Sequence, residues 1–265
     1  MNLEVITLKG KNSRNQPLLF IHGMYHAAWC YEEYFLPYFA NLGFDCYAMS
    51  FQNHGKSEST KPFWRVRVKD YVNDIKKVVD SIDGDPILIG HSMGGFIIQK
   101  YLEKYTAPAV VLLASVPPKG IIGSTLTVFK NYTFPFLKAN LTLNLYHIIA
   151  NKKNAQKLFL SPDLSESKLN EYHSKLDNEA YLAYLDMLVF DLPKTKKINF
   201  EKMLVIGAEN DKVNALNDVK NIAKRYKVKY KIIPNTTHDV MLDPNWKLTA
   251  KAISEWLDKE VFYLC

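Results

Sequence analysis

Cysteine is scarce in this chain, acidic charge is in deficit, and long apolar runs are missing. Three cysteines, Cys30, Cys46 and Cys265, stand in 265 residues. An odd number at no metal-binding spacing excludes a disulfide framework and a zinc–thiolate cluster, and a chain of this size needs no covalent staples. A reducing compartment, the cytoplasm, is therefore expected. No stretch approaches the roughly 18 apolar residues of a membrane span. The start, Met1 to Asn15, is polar throughout and lacks the apolar core of a signal peptide, so no integral membrane segment is expected. The 27 acidic residues against 34 basic ones give a net charge of +7. The lysines are scattered or paired, as at Lys76-Lys77, Lys152-Lys153 and Lys194 to Lys197. They form no long basic tract, so a solvated surface is expected, with neither a nucleic-acid nor an anionic-lipid partner. Internal repeats and low-complexity segments are absent too. What remains is a chain 48% hydrophobic and 23% charged. It is long enough to bury a sizeable core as one α/β domain with an insertion. Nothing in it sets an oligomeric state.

The first half alternates short β-rich apolar runs with longer helix-like stretches, the pattern of a parallel sheet wrapped by helices. The runs are Leu18 to Ile21, Cys46 to Phe51, Ile87 to Ile89 and Val110 to Leu113. Between them, Trp29 to Leu42 and Val68 to Ile82 carry apolar residues three and four apart. After Pro117-Pro118 the alternation stops. The stretch from Lys119 to about Ile198 reads as several helices punctuated by Pro135, Pro162 and Pro193, that is, as an insertion. Alternation resumes with strand Met203 to Ile206, helix Leu216 to Tyr226, strand Lys229 to Ile233 and a last helix from about Asn245 to Lys259.

Chemistry concentrates at strand ends. Gly90-His91-Ser92-Met93-Gly94-Gly95 follows the strand Ile87 to Ile89 directly and leads into a helix predicted over Phe96 to Tyr105. A nucleophile on a tight strand-to-helix turn needs glycines two residues before and after it, so that neighbouring backbone can pass close. The helix N-terminus aimed at Ser92 favours an oxyanion. A second strand ends in Phe20-Ile21-His22-Gly23-Met24. Acyl transfer needs two backbone N–H groups aimed at the developing oxyanion, and Met93 and Met24 are placed to supply them. Met24 is equally placed to line a pocket. His22 is expected to hold this loop. Its i, i+4 spacing to His26 lacks the intervening Glu of a zinc helix, and no metal is expected.

The residues His22-Gly23, the segment Phe51 to Ser57, the turn Gly90 to Gly95, the segment Gly207 to Val213 and Thr237-His238-Asp239-Val240-Met241-Leu242 together resemble the α/β-hydrolase superfamily over nearly the whole chain. Family members carry Asp-x-x-Gly-His-Gly-x-Ser in the second segment. Here Ser50-Phe51-Gln52-Asn53-His54-Gly55-Lys56-Ser57 lacks the Asp and the first Gly, which bears on local loop shape and not on the reacting groups. The resemblance implies an α/β fold, a mostly parallel sheet flanked by helices. It further implies a body of residues 1–118 and 199–265, with residues 119–198 as a helical cap over the site.

The resemblance also implies a serine nucleophile, an acid and a histidine base, in that chain order. The strand after the turn ends in Ala114-Ser115-Val116-Pro117-Pro118 without a carboxylate. That leaves Asp211 beyond Leu204-Val205-Ile206-Gly207, with Glu209 and Asp218 as competitors. His238, on the loop after Tyr230 to Pro234, is the expected base. His26, His54, His91, His147 and His173 are assigned to packing or surface. Asp239 and Asp243 are expected to end the loop and cap the helix near Pro244. From Thr125 to Ala150 the only charges are Lys130 and Lys138, and Phe129, Phe134 and Phe136 offer aromatic surface for an apolar substrate. The expectation is an esterase or lipase-like serine hydrolase that takes a small or medium apolar ester without a cofactor. Phe20 to Cys30 also resembles the methylesterase and hydroxynitrile lyase branch. A ligand receptor built on a hydrolase is a further reading.

Overall fold

The computed structural model describes residues 1–11, 14–198 and 200–262. Cys265 and residue 199, at the expected cap boundary, lie outside the described residues. Each apolar run becomes a strand: β2 (Arg14–Ile21), β3 (Phe44–Met49), β4 (Ile87–His91), β5 (Val110–Leu113), β6 (Met203–Ala208) and β7 (Tyr230–Ile233). With β1 (Val5–Leu8) they form one seven-stranded sheet in the order β1-β3-β2-β4-β5-β6-β7. All neighbours are parallel except β1, which pairs antiparallel with β3. Strands β4, β5 and β6 are buried at every residue, as expected of central strands covered on both faces. The carboxyl ends of β2, β4, β5, β6 and β7 stay in register, through Ile21 beside Gly90, His91 beside Leu113, Leu113 beside Ile206 and Ala208 beside Ile233. The loops that leave them therefore open on one edge of the sheet.

Helices cover both faces. In α3 (Val68–Val79) the apolar stripe Val68, Tyr71, Val72, Ile75 and Val78 is buried, and Asp70 reaches back to accept from the Arg67 N–H at 3.0 Å, which satisfies an end amide. The single helix expected over Trp29 to Leu42 is two, α1 (Trp29–Glu32) and α2 (Phe35–Asn41). Pro37 explains the break: it has no N–H for the Glu33 carbonyl, and its ring crowds that oxygen. The helix after the turn, α4 (Met93–Tyr101), starts three residues earlier than expected, immediately beyond Ser92. Two helices of the body follow later, α10 (Leu216–Tyr226) and α11 (Trp246–Trp256). No helix among the described residues is long and apolar enough to cross a membrane. Cys30 and Cys46 are buried free thiols.

Between β5 and β6 the chain forms α5 (Ile122–Asn131), α6 (Thr133–Thr142), α7 (Lys152–Phe159), α8 (Glu166–Ser174) and α9 (Tyr181–Leu185). Buried carboxylates fasten the end of this stretch to the body. Glu179 accepts from the Tyr71 hydroxyl at 2.7 Å and lies 3.3 Å from His54 Nε2. Asp186 accepts from Arg67 Nε at 3.0 Å and from the Val68 N–H at 3.1 Å. Both carboxylates are buried, so removing a partner would leave a buried acceptor unsatisfied.

Candidate active site

The site assembles where the sheet's carboxyl edge meets the helices between β5 and β6. Ser92 sits between β4 and α4 with φ 50° and ψ −113°, a conformation that β-carbon-bearing residues rarely adopt. The glycines around it are dictated by contact. A Cβ on Gly94 would lie 2.4 Å from the Ile21 carbonyl oxygen, and one on Gly90 would lie 2.7 Å from the Gly94 carbonyl carbon. The turn thus packs its own backbone, and β2 beside it, too closely for any side chain.

The structure brings together three of the residues expected from sequence. The Ser92 hydroxyl lies 3.0 Å from His238 Nε2, and His238 Nδ1 lies 2.8 Å from Asp211 Oδ2. With Nδ1–H donating to the carboxylate, Nε2 is left to accept from Ser92. The other Asp211 oxygen accepts from the Val213 and Asn214 amides at 2.7 and 2.9 Å, so the loop that carries the carboxylate also aims it. Of its competitors, Glu209 accepts from the Asn235 amide, and Asp218 pairs with Lys119. Burial alone would push the His238 imidazole down, but the charge and hydrogen bond of Asp211, helped by Asp239, outweigh it and hold its pKa above the ordinary value. Such a chain can take a proton from a serine hydroxyl and return it.

Met24 and Met93 flank Ser92. Neither backbone N–H has a hydrogen-bond acceptor among the described residues, whereas most buried amides are paired. His22 holds the Met24 loop in place: its Nδ1–H donates to the Gly23 carbonyl at 2.8 Å, and its Nε2 accepts from the Phe51 N–H at 3.1 Å. Both ring nitrogens are thus engaged. Burial and the neighbouring His54 keep this ring neutral.

Two expectations need correction. Asp239 does not merely end a loop. It is buried beside His238, with Oδ2 3.1 Å from His26 Nε2 and Oδ1 3.7 Å from His91 Nε2. No hydrogen bond aligns His26 with it, so charge holds the pair. Burial alone would neutralise both groups, but each one's charge favours ionisation of the other; the His26 pKa is raised and that of Asp239 lowered. His91 instead donates to the His238 carbonyl at 2.9 Å, and burial with the nearby His238 charge pushes its pKa down to about 3. Three groups that no local sequence pattern joins thus surround His238; the only signal was the adjacency of His91 to Ser92 and of Asp239 to His238. Ligand-type atoms of His91, His238 and Asp239 lie within 4.8 Å of one another. Both ring nitrogens of His238 are already committed to Asp211 and Ser92, so the group suits proton chemistry better than metal binding. Asp243 does act at the loop end, accepting from the Thr237 and Asn245 amides at 2.9 and 2.8 Å.

The second correction concerns the aromatic residues. Ser92 opens into a cavity. The walls combine Met24, Tyr25 and Val213 from the body with Thr125, Val128, Phe136, Leu145, Ile148, Leu158, Phe159 and Tyr184 from the helices between β5 and β6. Phe136 is a wall residue, but Phe129 and Phe134 are not. Phe129 packs edge-on against Phe136 at 5.5 Å, and Phe134 is 79% exposed. The reason is helical geometry: residues 134 and 136 point about 200° apart on α6.

Comparison with known proteins agrees with this architecture. The chain is 23% identical over 241 residues to the proline iminopeptidase PfmaB of Pestalotiopsis fici, covering 83% of this chain and 85% of that protein. Its fold matches a monoacylglycerol lipase of Paleococcus ferrophilus with a TM-score of 0.71 at 20% identity, covering 97% and 98% of the two chains. It matches an esterase of Exiguobacterium antarcticum with a TM-score of 0.76 at 14% identity, covering 97% and 96%. The family described as serine aminopeptidase, S33 matches residues 12–245, and the chain belongs to that family of α/β-hydrolases.

Proposed function

We propose that this hydrolase cleaves carboxylic esters of small or medium apolar substrates through an acyl-enzyme on Ser92. The observation that carries the reading is an apolar cavity ending on a serine hydroxyl 3.0 Å from a histidine that a carboxylate orients. His238 takes the Ser92 proton as Oγ attacks the ester carbonyl, and the Met24 and Met93 amides receive the oxyanion. His238 then returns the proton to the leaving alkoxide. Water, deprotonated by the same ring, releases the acid and restores Ser92. These steps need no cofactor. Residues 119–198 act as a cap on the body of residues 1–118 and 199–265, and the cap walls select the substrate.

Peptidase relatives raise the question of an aminopeptidase. Such an enzyme needs an unpaired carboxylate for the substrate's ammonium group. Asp239 is the wall carboxylate, and His26 already neutralises it. An ester panel settles the matter, with p-nitrophenyl esters from acetate to laurate set beside proline p-nitroanilide. Multiple turnovers of the esters and none of the anilide are expected. Faster anilide cleavage would transfer the site to peptides, and ligand-induced thermal stabilisation without turnover would favour a receptor. Cyanohydrin cleavage in the absence of ester turnover would favour a lyase.

Two further results are expected. Because His238 must be neutral to accept a proton, activity is lost as pH falls through its raised pKa. The acidic limb of kcat/KM should therefore have its midpoint above the ordinary 6.5. A midpoint at or below that value would contradict the paired geometry. Phe136→Ala should raise KM for medium-chain esters about ten-fold, the effect of one lost aromatic contact, and change acetate turnover little. Phe134→Ala should leave both unchanged. Equal effects of the two substitutions would mean that the wall assignment is wrong.

A further inference from the structure

The outer face of the α5–α6 pair is apolar where it meets water. On α5, Ile122, Leu126 and Phe129 are exposed, and on α6 Phe134, Leu137 and Leu141 are, the last at 86%. Their spacings of three and four place each set on one helix face. Each set carries a lysine at the same helical spacing, Lys130 and Lys138, and both are exposed. Helix α5 buries no residue fully and α6 buries only Ala139. Yet the same helices, turned away from that face at Val128 and Phe136 and at its margin at Thr125, supply these three residues to the cavity wall. These two helices are thus apolar on both faces, a state that water disfavours.

Charge decides what would cover the outer face. From Ile122 to Thr142, the span of the two helices, the only charged side chains are Lys130 and Lys138, with no aspartate or glutamate. A symmetric contact with a second copy would bring like lysines together in a desolvated interface, which is unfavourable. An anionic bilayer satisfies both elements: the acyl region takes the apolar side chains, and the headgroups take the lysines. We propose that α5 and α6 dock this protein on anionic membrane surfaces, with Ile122, Leu126, Phe129, Phe134, Leu137 and Leu141 entering the interface and Lys130 and Lys138 at its rim. Docking places the cavity wall at the level where apolar substrates partition. It stands apart from the chemistry at Ser92, since binding is measured without turnover.

The test is co-sedimentation of the full chain with phosphatidylcholine vesicles, with and without phosphatidylglycerol. Binding to the anionic vesicles is expected, weakening as salt rises. The double substitution Phe134→Glu/Leu141→Glu should weaken it by more than about ten-fold, with hydrolysis of a soluble acetate ester intact. Lys130→Gln/Lys138→Gln should weaken it about five-fold per lysine. Absence of binding to anionic vesicles would overturn the proposal, as would equal binding by the glutamate variant. So would concentration-dependent dimerisation in ultracentrifugation that the glutamate variant abolishes, because the face would then belong to a second copy.

Discussion

Ser92→Ala is expected to reduce ester turnover by on the order of 10⁵-fold or more while leaving the fold intact. The size follows from the role: with no hydroxyl there is no acyl-enzyme, and only the amides and the binding cavity remain to lower the barrier. The fold is spared because the hydroxyl makes one hydrogen bond, to His238, and alanine fits wherever serine does. A fluorophosphonate should label Ser92 in the native protein and nothing in the variant. Ser115, beyond the end of the neighbouring strand β5, is unsuited: its hydroxyl donates to the Val116 carbonyl and accepts from Gln99. Full activity in Ser92→Ala would end the acyl-enzyme mechanism, and labelling at Ser115 would move the nucleophile.

Asp211→Asn should lower kcat about 10⁴-fold with little change in thermal stability. An asparagine keeps one oxygen for the Val213 and Asn214 amides, so the loop survives. Its NH₂ group would face His238 Nδ1 and drive the proton to Nε2, which then cannot accept from Ser92. Asp239→Asn should behave in the opposite way. It leaves His26 buried without its counter-charge and costs about 3 kcal/mol of stability, with a smaller loss of kcat. The sign in pH is fixed by the two shifts. The pair's contribution is present above the ordinary carboxylate value of 3.8 and below the ordinary histidine value of 6.5, and it fades as pH rises through the raised value of His26. Melting curves and single-turnover rates on both variants separate the outcomes. If Asp239→Asn lost more kcat than Asp211→Asn, the acid would be Asp239.

The body of the fold was legible because buried parallel strands are continuous apolar runs, and four of them end in motif residues. The strand Val5–Leu8 gave no such signal: it is four residues long, at the sheet edge, and half exposed. Periodicity carried one helix across Glu33 because it weighs side-chain faces and not the missing N–H of Pro37. Ser92, His238 and Asp211 could be named from strand ends together with the chain order that the family resemblance implies. The His26–Asp239 pair could not, since 213 residues separate its members (239 − 26) and only the finished sheet edge joins them. The choice among Phe129, Phe134 and Phe136 needed a helix phase, which requires knowing where α6 begins.

The backbone at Ser92 carries a final consequence. The angles φ 50° and ψ −113° mirror an extended conformation, and glycine adopts the mirror region freely. Comparing Ser92→Gly with Ser92→Ala removes the hydroxyl from both sides, so the difference isolates the backbone. Glycine normally weakens a protein relative to alanine, by about 0.5–1 kcal/mol of chain entropy. Here relief of a strain of about 1–3 kcal/mol should reverse the sign, so that the glycine variant melts higher. On the proposed mechanism, position 92 is then a place where selection for activity has overridden selection for stability. The sequence most favoured by the fold at residue 92 is one that cannot react.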